Sequence, residues 1–253
     1  IAVIRLPRIS NFTDFNPFEM VEGLSLRYVK HAGELGNPDM VILPGTKNTM
    51  EDLLWMRQNG LEASILKLAK TGTVIFGICG GYQMLGEHLS DPHGVEAGGE
   101  IRGMGLLPME TVFAGQKTRT RVSGSFGKIQ GVLSDLSNVV VEGYEIHMGV
   151  TTLQEGVNSL TVLGESKKMD GAYKDNIYGT YVHGIFDKEQ VVKEIVIALG
   201  NKKGIDMTKT VAFDMEAFKE TQYDILAAEL RKHLDMDAIY NILSIKCDNL
   251  LTK

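Results

Sequence analysis

Between the apolar run at residues 73–78 and the segment Tyr82-Gln83-Met84-Leu85-Gly86, the chain sets a single thiol among glycines, Gly77-Ile78-Cys79-Gly80-Gly81. This is the spacing of a nucleophile elbow, a sharp strand-to-helix turn that holds its central side chain strained and exposed. Gly77 and Gly81 remove the Cβ clashes that such a turn creates. A sulfur at the start of a helix meets unpaired N–H groups and the positive end of the helix dipole, which favour negative charge and raise the thiolate fraction. Acyl transfer by a sulfur nucleophile fits the pattern. A buried structural cysteine, the usual state of a free thiol, would not need glycine on both sides.

Such a site needs donors aimed at the oxyanion formed when a carbonyl is attacked. The Gly80 N–H follows the nucleophile, and Gly45, in Leu43-Pro44-Gly45-Thr46, lies in a neighbouring loop where the absent side chain lets backbone approach substrate. Without Cys79 nearby, Pro44-Gly45 would read as an ordinary turn. Gly45-Thr46-Lys47 lacks the earlier glycine of a phosphate-binding loop. The base must be a histidine, chosen from His31, His88, His93, His147, His183 and His233. His183, in Gly179-Thr180-Tyr181-Val182-His183-Gly184, follows a β-branched and aromatic run and so stands at a strand end. His147, in Tyr144-Glu145-Ile146-His147-Met148-Gly149, has the same character and is the rival. The other four fall in helical or polar stretches that suit solvated or capping roles.

The elements that would carry these residues read as α/β, a mostly parallel central sheet flanked by helices. Apolar runs at residues 1–6, 24–29, 40–43 and 73–78 alternate with helical patterns at 50–57 and 61–70. Ligands in such sheets bind where strands end, which is where Gly45 and Cys79 fall. From about residue 103 to 181 the texture becomes β-rich (117–122, 139–146, 177–182), predicting antiparallel strands or a second sheet. Residues 187–199 read as a helix with an acidic start and a closing glycine, so the main domain is expected to span 1–200. A helical extension, 201–253, follows. Leu226, Leu230 and Leu234, and then Met236, Ile239, Leu243 and Cys247, recur there in two series at three- and four-residue spacing, the pattern of two packed helices.

Net charge −6 argues against a phosphate-backbone partner. No apolar run reaches membrane-span length, so no nucleic acid, no membrane and a cytoplasmic location are the expectations. The two cysteines, Cys79 and Cys247, are expected as free thiols. The chain opens on Ile1 in what reads as a buried strand, and an upstream segment carrying part of the biochemistry is expected.

Gly77-Ile78-Cys79-Gly80-Gly81-Tyr82-Gln83 resembles the nucleophile motif of class I, triad-type glutamine amidotransferases. The stretches at residues 5–15, 43–49, 144–149 and 179–184 join it in order, so that residues 1–200 resemble the glutaminase half of the cobyric acid synthase family. The resemblance implies a flavodoxin-like domain releasing ammonia from glutamine, with Cys79 as nucleophile, His183 as base, Gly45 and Gly80 as oxyanion donors and Gln83 as a glutamine contact. It implies a missing N-terminal amidoligase domain, where ATP and Mg would act, and no cofactor or metal in this domain. The family's task is amidation of peripheral carboxylates of adenosylcobyrinic acid a,c-diamide to cobyric acid. One departure concerns the orienter. Class members carry Glu two residues after the catalytic histidine, where this chain has Ile185, leaving Asp187, Glu145 or the missing domain for that role. The alternatives are a glutaminase serving another ligase of the cell-wall amidation type, a cysteine peptidase or esterase, and a non-catalytic docking domain.

Overall fold

The computed structural model of the chain describes residues 1–209 and 215–250. Two compact units divide it, Ile1–Phe213 and Asp214–Lys253. In the first, strands β1 (Ala2–Ile4), β2 (Arg27–Val29), β3 (Met40–Leu43) and β4 (Val74–Ile78) are parallel neighbours in the order β4-β3-β1-β2. β1, β3 and β4 are buried at every position, as strands covered on both faces must be. Around and between them come the helices α1 (Asn16–Glu19), α2 (Ala32–Leu35), α3 (Thr49–Gln58), α4 (Leu61–Lys70) and α5 (Gly80–Met84). The runs at 1–6 and 24–29 contribute only three residues each to the sheet.

A second, mainly antiparallel sheet holds β5 (His88–Asp91), β6 (Gly99–Arg102), β7 (Met109–Phe126), β8 (Val140–Leu153), β9 (Thr161–Leu163) and β10 (Lys168–Asp170). β7 and β8 form a long hairpin with a register shift between Val112 and Lys117. β11 (Ala172–Lys174) and β12 (Ile177–Thr180) return to the first sheet, β12 parallel to β4. β13 (Val182–His183) then pairs with β8 in the second. The step from β12 to β13, across Tyr181, thus carries the chain from one sheet to the other and sets His183 beside the β4 end.

Helix α6 (Glu189–Lys203) runs past Gly200 and stops at Gly204, whose φ of 70° is left-handed. Gly200 is therefore not the terminator that the sequence suggested. A Cβ there would lie 2.5 Å from Met207 Cγ and 2.8 Å from Ile205 O, so the glycine serves close packing inside the helix. The second unit contains α7 (Met215–His233) and α8 (Met236–Leu250). Leu226, Leu230, Leu234 and Leu243 are all exposed, so the helical spacing in this tail does not mark a face that the structure buries. The side chain of Cys247 lies outside the described residues. No helix among the described residues is long and apolar enough to cross a membrane.

Candidate active site

Cys79 joins β4 to α5 with φ 50° and ψ −109°, a backbone state that a non-glycine residue keeps only under restraint. Its N–H donates to Thr180 O at 2.8 Å and its carbonyl accepts from Gln83 N at 3.0 Å. The turn leaves no room for side chains beside it. A Cβ on Gly77 would fall 2.7 Å from Gly81 O, and one on Gly81 would fall 2.0 Å from Leu43 O. This is the geometry of a strand-to-helix elbow. The Cys79 side chain is free, 8% exposed, and lines a cavity of about 320 Å³ together with Ser10, Thr46, Lys117 and His183. That volume is at the small end of ligand sites. In the thiol form Sγ–H points at Ile146 O, 3.5 Å away.

His183, on β13, is buried and lines the same cavity as Cys79, whose sulfur is among the groups that raise its pKa. Its Nδ1 lies 2.7 Å from Asp14 Oδ2, and the other oxygen of Asp14 accepts the Gly184 N–H at 3.0 Å. Asp14 sits in a 3₁₀ turn, Phe12–Phe15, entered through Asn11 at φ 53°, a left-handed conformation that asparagine tolerates. The Asn11 amide comes within 2.8 Å of the same Nδ1. The atom there is the amide nitrogen Nδ2, which finds no lone pair on an Nδ1 whose proton goes to Asp14. The Tyr144 ring stacks on the imidazole at 5.3 Å. Burial alone would pull the His183 pKa down, but hydrogen bonds to Asp14 and Cys79, with the charges behind them, push it up to about 9. At neutral pH the ring is therefore an imidazolium, its Nδ1–H donating to Asp14.

His147 is brought to the same cavity in a different state. Its ring stacks on Tyr181 at 3.8 Å, Nδ1 lies 3.3 Å from Gly149 O, and Nε2 is buried without a hydrogen-bond partner. Burial holds its pKa below the usual imidazole value.

The carboxylate found beside His183 Nδ1 is neither Asp187 nor Glu145, the two named from sequence. Glu145 is buried but committed to Lys168 Nζ at 2.7 and 2.8 Å, with His147 Nε2 at 3.9 Å. Asp187 belongs to the turn after His183, its N–H donating to Gly184 O at 2.9 Å. Asp14, 169 residues before His183, holds Nδ1 instead. Ile185 is fully buried in the hydrophobic core, so the position that carries Glu in the wider class is a packing position here, and the carboxylate arrives from another element. Sequence reasoning passed over Asp14, although an acid flanked by Phe12, Phe15 and Phe18 is a signal that a buried partner exists.

Gly45 faces the imidazole with bare backbone: a Cβ there would lie 2.9 Å from His183 Cε1 and 3.3 Å from Ser10 Oγ. Gly80 opens α5, where first-turn amides have no intrahelical acceptor, and a Cβ on it would meet Thr46 Cγ2 at 2.7 Å. Both glycines therefore lie where the two strand-end loops converge. Gln83 lines the cavity, but its Nε2 donates to Met148 O (3.1 Å) and Tyr181 Oη (3.2 Å), and its Oε1 faces Thr49 Oγ1 at 3.0 Å. Only acceptor capacity on Oε1 remains for a ligand. Glu96 also lines the cavity, and no sequence signal had marked it. Among the described residues no group of three or more His, Cys, Asp or Glu is placed to hold a metal ion.

A parallel sheet with a cysteine elbow at its carboxyl edge, and a histidine–carboxylate pair beside the sulfur, is the class I glutamine amidotransferase arrangement. Solved structures agree on the fold. PurLQS from Thermotoga maritima superposes with a TM-score of 0.60 at 18% identity, covering 80% of this chain and 97% of that one. A structure described as a glutamine amidotransferase gives 0.55 at 15% identity, covering 79% and 99%. Residues 1–191 match the family model of the CobB/CobQ-like glutamine amidotransferase domain, and the chain belongs to that family. It is 52% identical over 255 residues to the cobyric acid synthase of Ruminiclostridium cellulolyticum, covering 98% of this chain and 50% of that protein. Against the cobyric acid synthase of Lachnoclostridium phytofermentans the identity is 51%, covering 96% and 50%. The chain thus spans about half the length of these relatives.

Proposed function

We propose that this domain hydrolyses glutamine at Cys79 and delivers the ammonia to an ATP-dependent amidoligase half outside the present chain. The observation that carries the reading is the 2.7 Å pairing of His183 Nδ1 with Asp14 beside the elbow sulfur. The sulfur attacks the side-chain amide carbon, and the resulting oxyanion accepts from the Gly45 and Gly80 N–H groups. The His183 imidazolium gives its Nε2 proton to the departing nitrogen, releasing ammonia and leaving a thioester on Cys79. Neutral His183 then takes a proton from water, whose oxygen attacks the thioester, and glutamate leaves as the thiol is restored. Asp14 keeps the ring oriented throughout and stabilises its cationic form.

Similarity to cobyric acid synthases over nearly the whole chain supports peripheral carboxylates of adenosylcobyrinic acid a,c-diamide as the final acceptor of the ammonia. Release of glutamate from glutamine, measured with and without the amidoligase half and with Cys79→Ser as control, tests the reading. Cys79-dependent glutamate release is expected in the presence of the other half. Its complete absence there would sink the proposal.

A further inference from the structure

The step from β12 to β13, which brings His183 to the cavity, is held by a buried carboxylate that the reaction as written does not use. Thr180 is the last residue of β12 and Val182 the first of β13, so Tyr181 belongs to neither strand. Its N–H donates to Asp170 Oδ1 at 3.3 Å. The Val182 N–H donates to Thr180 Oγ1 at 3.0 Å, and that hydroxyl in turn donates to Asp170 Oδ2. Thr161 Oγ1 lies 3.2 Å from the same oxygen. Asp170 ends β10, and Gly171 after it, at φ 68°, lets the chain lie against β12: a Cβ there would fall 2.3 Å from Gly179 O. These partners of the carboxylate are all neutral, two hydroxyls and a backbone N–H. Burial pushes the Asp170 pKa up, against the Thr180 hydrogen bond that pulls it down. A desolvated carboxylate with neutral partners lowers stability, and this one sits where the chain changes sheets just before His183.

We propose that Asp170 is a positioning residue for the Cys79–His183 pair; the inference rests on the glutaminase reading given above. Both members of the pair depend on Thr180. Its carbonyl accepts the Cys79 N–H at 2.8 Å, and its hydroxyl accepts the N–H of Val182, the residue before His183. Asp170 fixes the orientation of that hydroxyl by accepting its hydrogen bond, and holds the Tyr181 amide as well. A threonine hydroxyl that donates to a carboxylate keeps its lone pairs available to the Val182 N–H, whereas a freed one can turn away. One side chain thus sets the backbone on either side of Tyr181, and through it the placement of the imidazole against the sulfur. Misplacement of reacting groups by about 1 Å costs as much as about a hundredfold in rate. Asp14 meets the ring itself, whereas Asp170 acts through Thr180 and Tyr181.

The test is a double-mutant cycle on the full chain, read by alkylation of Cys79 with iodoacetamide, which does not require turnover. Mass spectrometry of the Cys79 peptide keeps Cys247 out of the readout. An imidazolium beside a sulfur raises its thiolate fraction, so His183→Ala should slow alkylation at neutral pH. Asp170→Ala should slow it about tenfold when His183 is present, and less than about twofold once His183 is gone. A merely structural role would move both backgrounds equally; that result, or an unchanged rate in a folded Asp170→Ala chain, overturns the inference. Should Asp170→Ala fail to fold, Thr180→Val, which cuts the hydroxyl link and keeps the side-chain shape, takes its place in the cycle with the same two outcomes. Thr180→Ser, which restores the hydroxyl, should recover most of the rate. If the cycle shows this coupling while glutamate release fails even with the amidoligase half, hydrolysis is the part that falls and positioning by Asp170 stands.

Discussion

His183 and His147 line one cavity, each on a strand of the second sheet, and their local sequences look alike. Their states differ. Nδ1 of His183 meets a carboxylate at 2.7 Å and its pKa rises to about 9, whereas His147 rests against Tyr181 with a backbone carbonyl at 3.3 Å and is pushed down by burial. His183 stands at the end of β13 and His147 in the middle of β8, so reaching the cavity makes a histidine available, and its second neighbour decides whether it can hold a proton for a leaving group.

The largest effect should separate the two directly. His183→Ala is expected to lower glutamate release by about a thousandfold or more, as loss of the acid–base group does at such sites, while His147→Ala costs less than about tenfold; equal losses would break the comparison. Next comes Asp14→Asn, for which the expected loss in kcat is about a hundredfold, smaller than in serine enzymes because a thiol depends less on its base. The pH profile sharpens this. With His183 protonated up to about pH 9, activity that needs the imidazolium should decline as pH rises through that value. Without the Asp14 charge the decline should move to lower pH. The linkage to stability has the same sign: a raised folded-state pKa stabilises fully below the ordinary imidazole value of 6.5 and is lost as pH rises through about 9, visible in chemical denaturation across that window. The smallest effect is His147→Phe, which keeps the stack on Tyr181 and removes the orphaned buried Nε2, so stability by denaturation should change by no more than about 1 kcal/mol and rise if it moves.

The elbow was legible because its constraints are local. A cysteine held at φ 50°, with glycines where a Cβ would strike backbone, leaves an imprint within five consecutive residues. The helix at residues 61–70 was equally plain from its spacing, and the structure has it as Leu61–Lys70. The tail shows the limit of the same reasoning, since its leucines keep helical spacing yet are exposed in the structure. Periodicity reports an element, and burial depends on what covers it. Gly200 makes the point in reverse: a glycine that looked like a helix stop is a contact point for Met207.

The sequence by itself determined the α/β layout, the strained thiol and the pool of histidines, because each follows from chain-local sterics and residue chemistry. Only the tertiary structure decided which histidine is charged, that its carboxylate is Asp14, and that Glu96 faces the cavity. Those outcomes depend on distances between segments far apart in the chain. A carboxylate's influence falls off over a few ångströms of space, whatever the number of residues between.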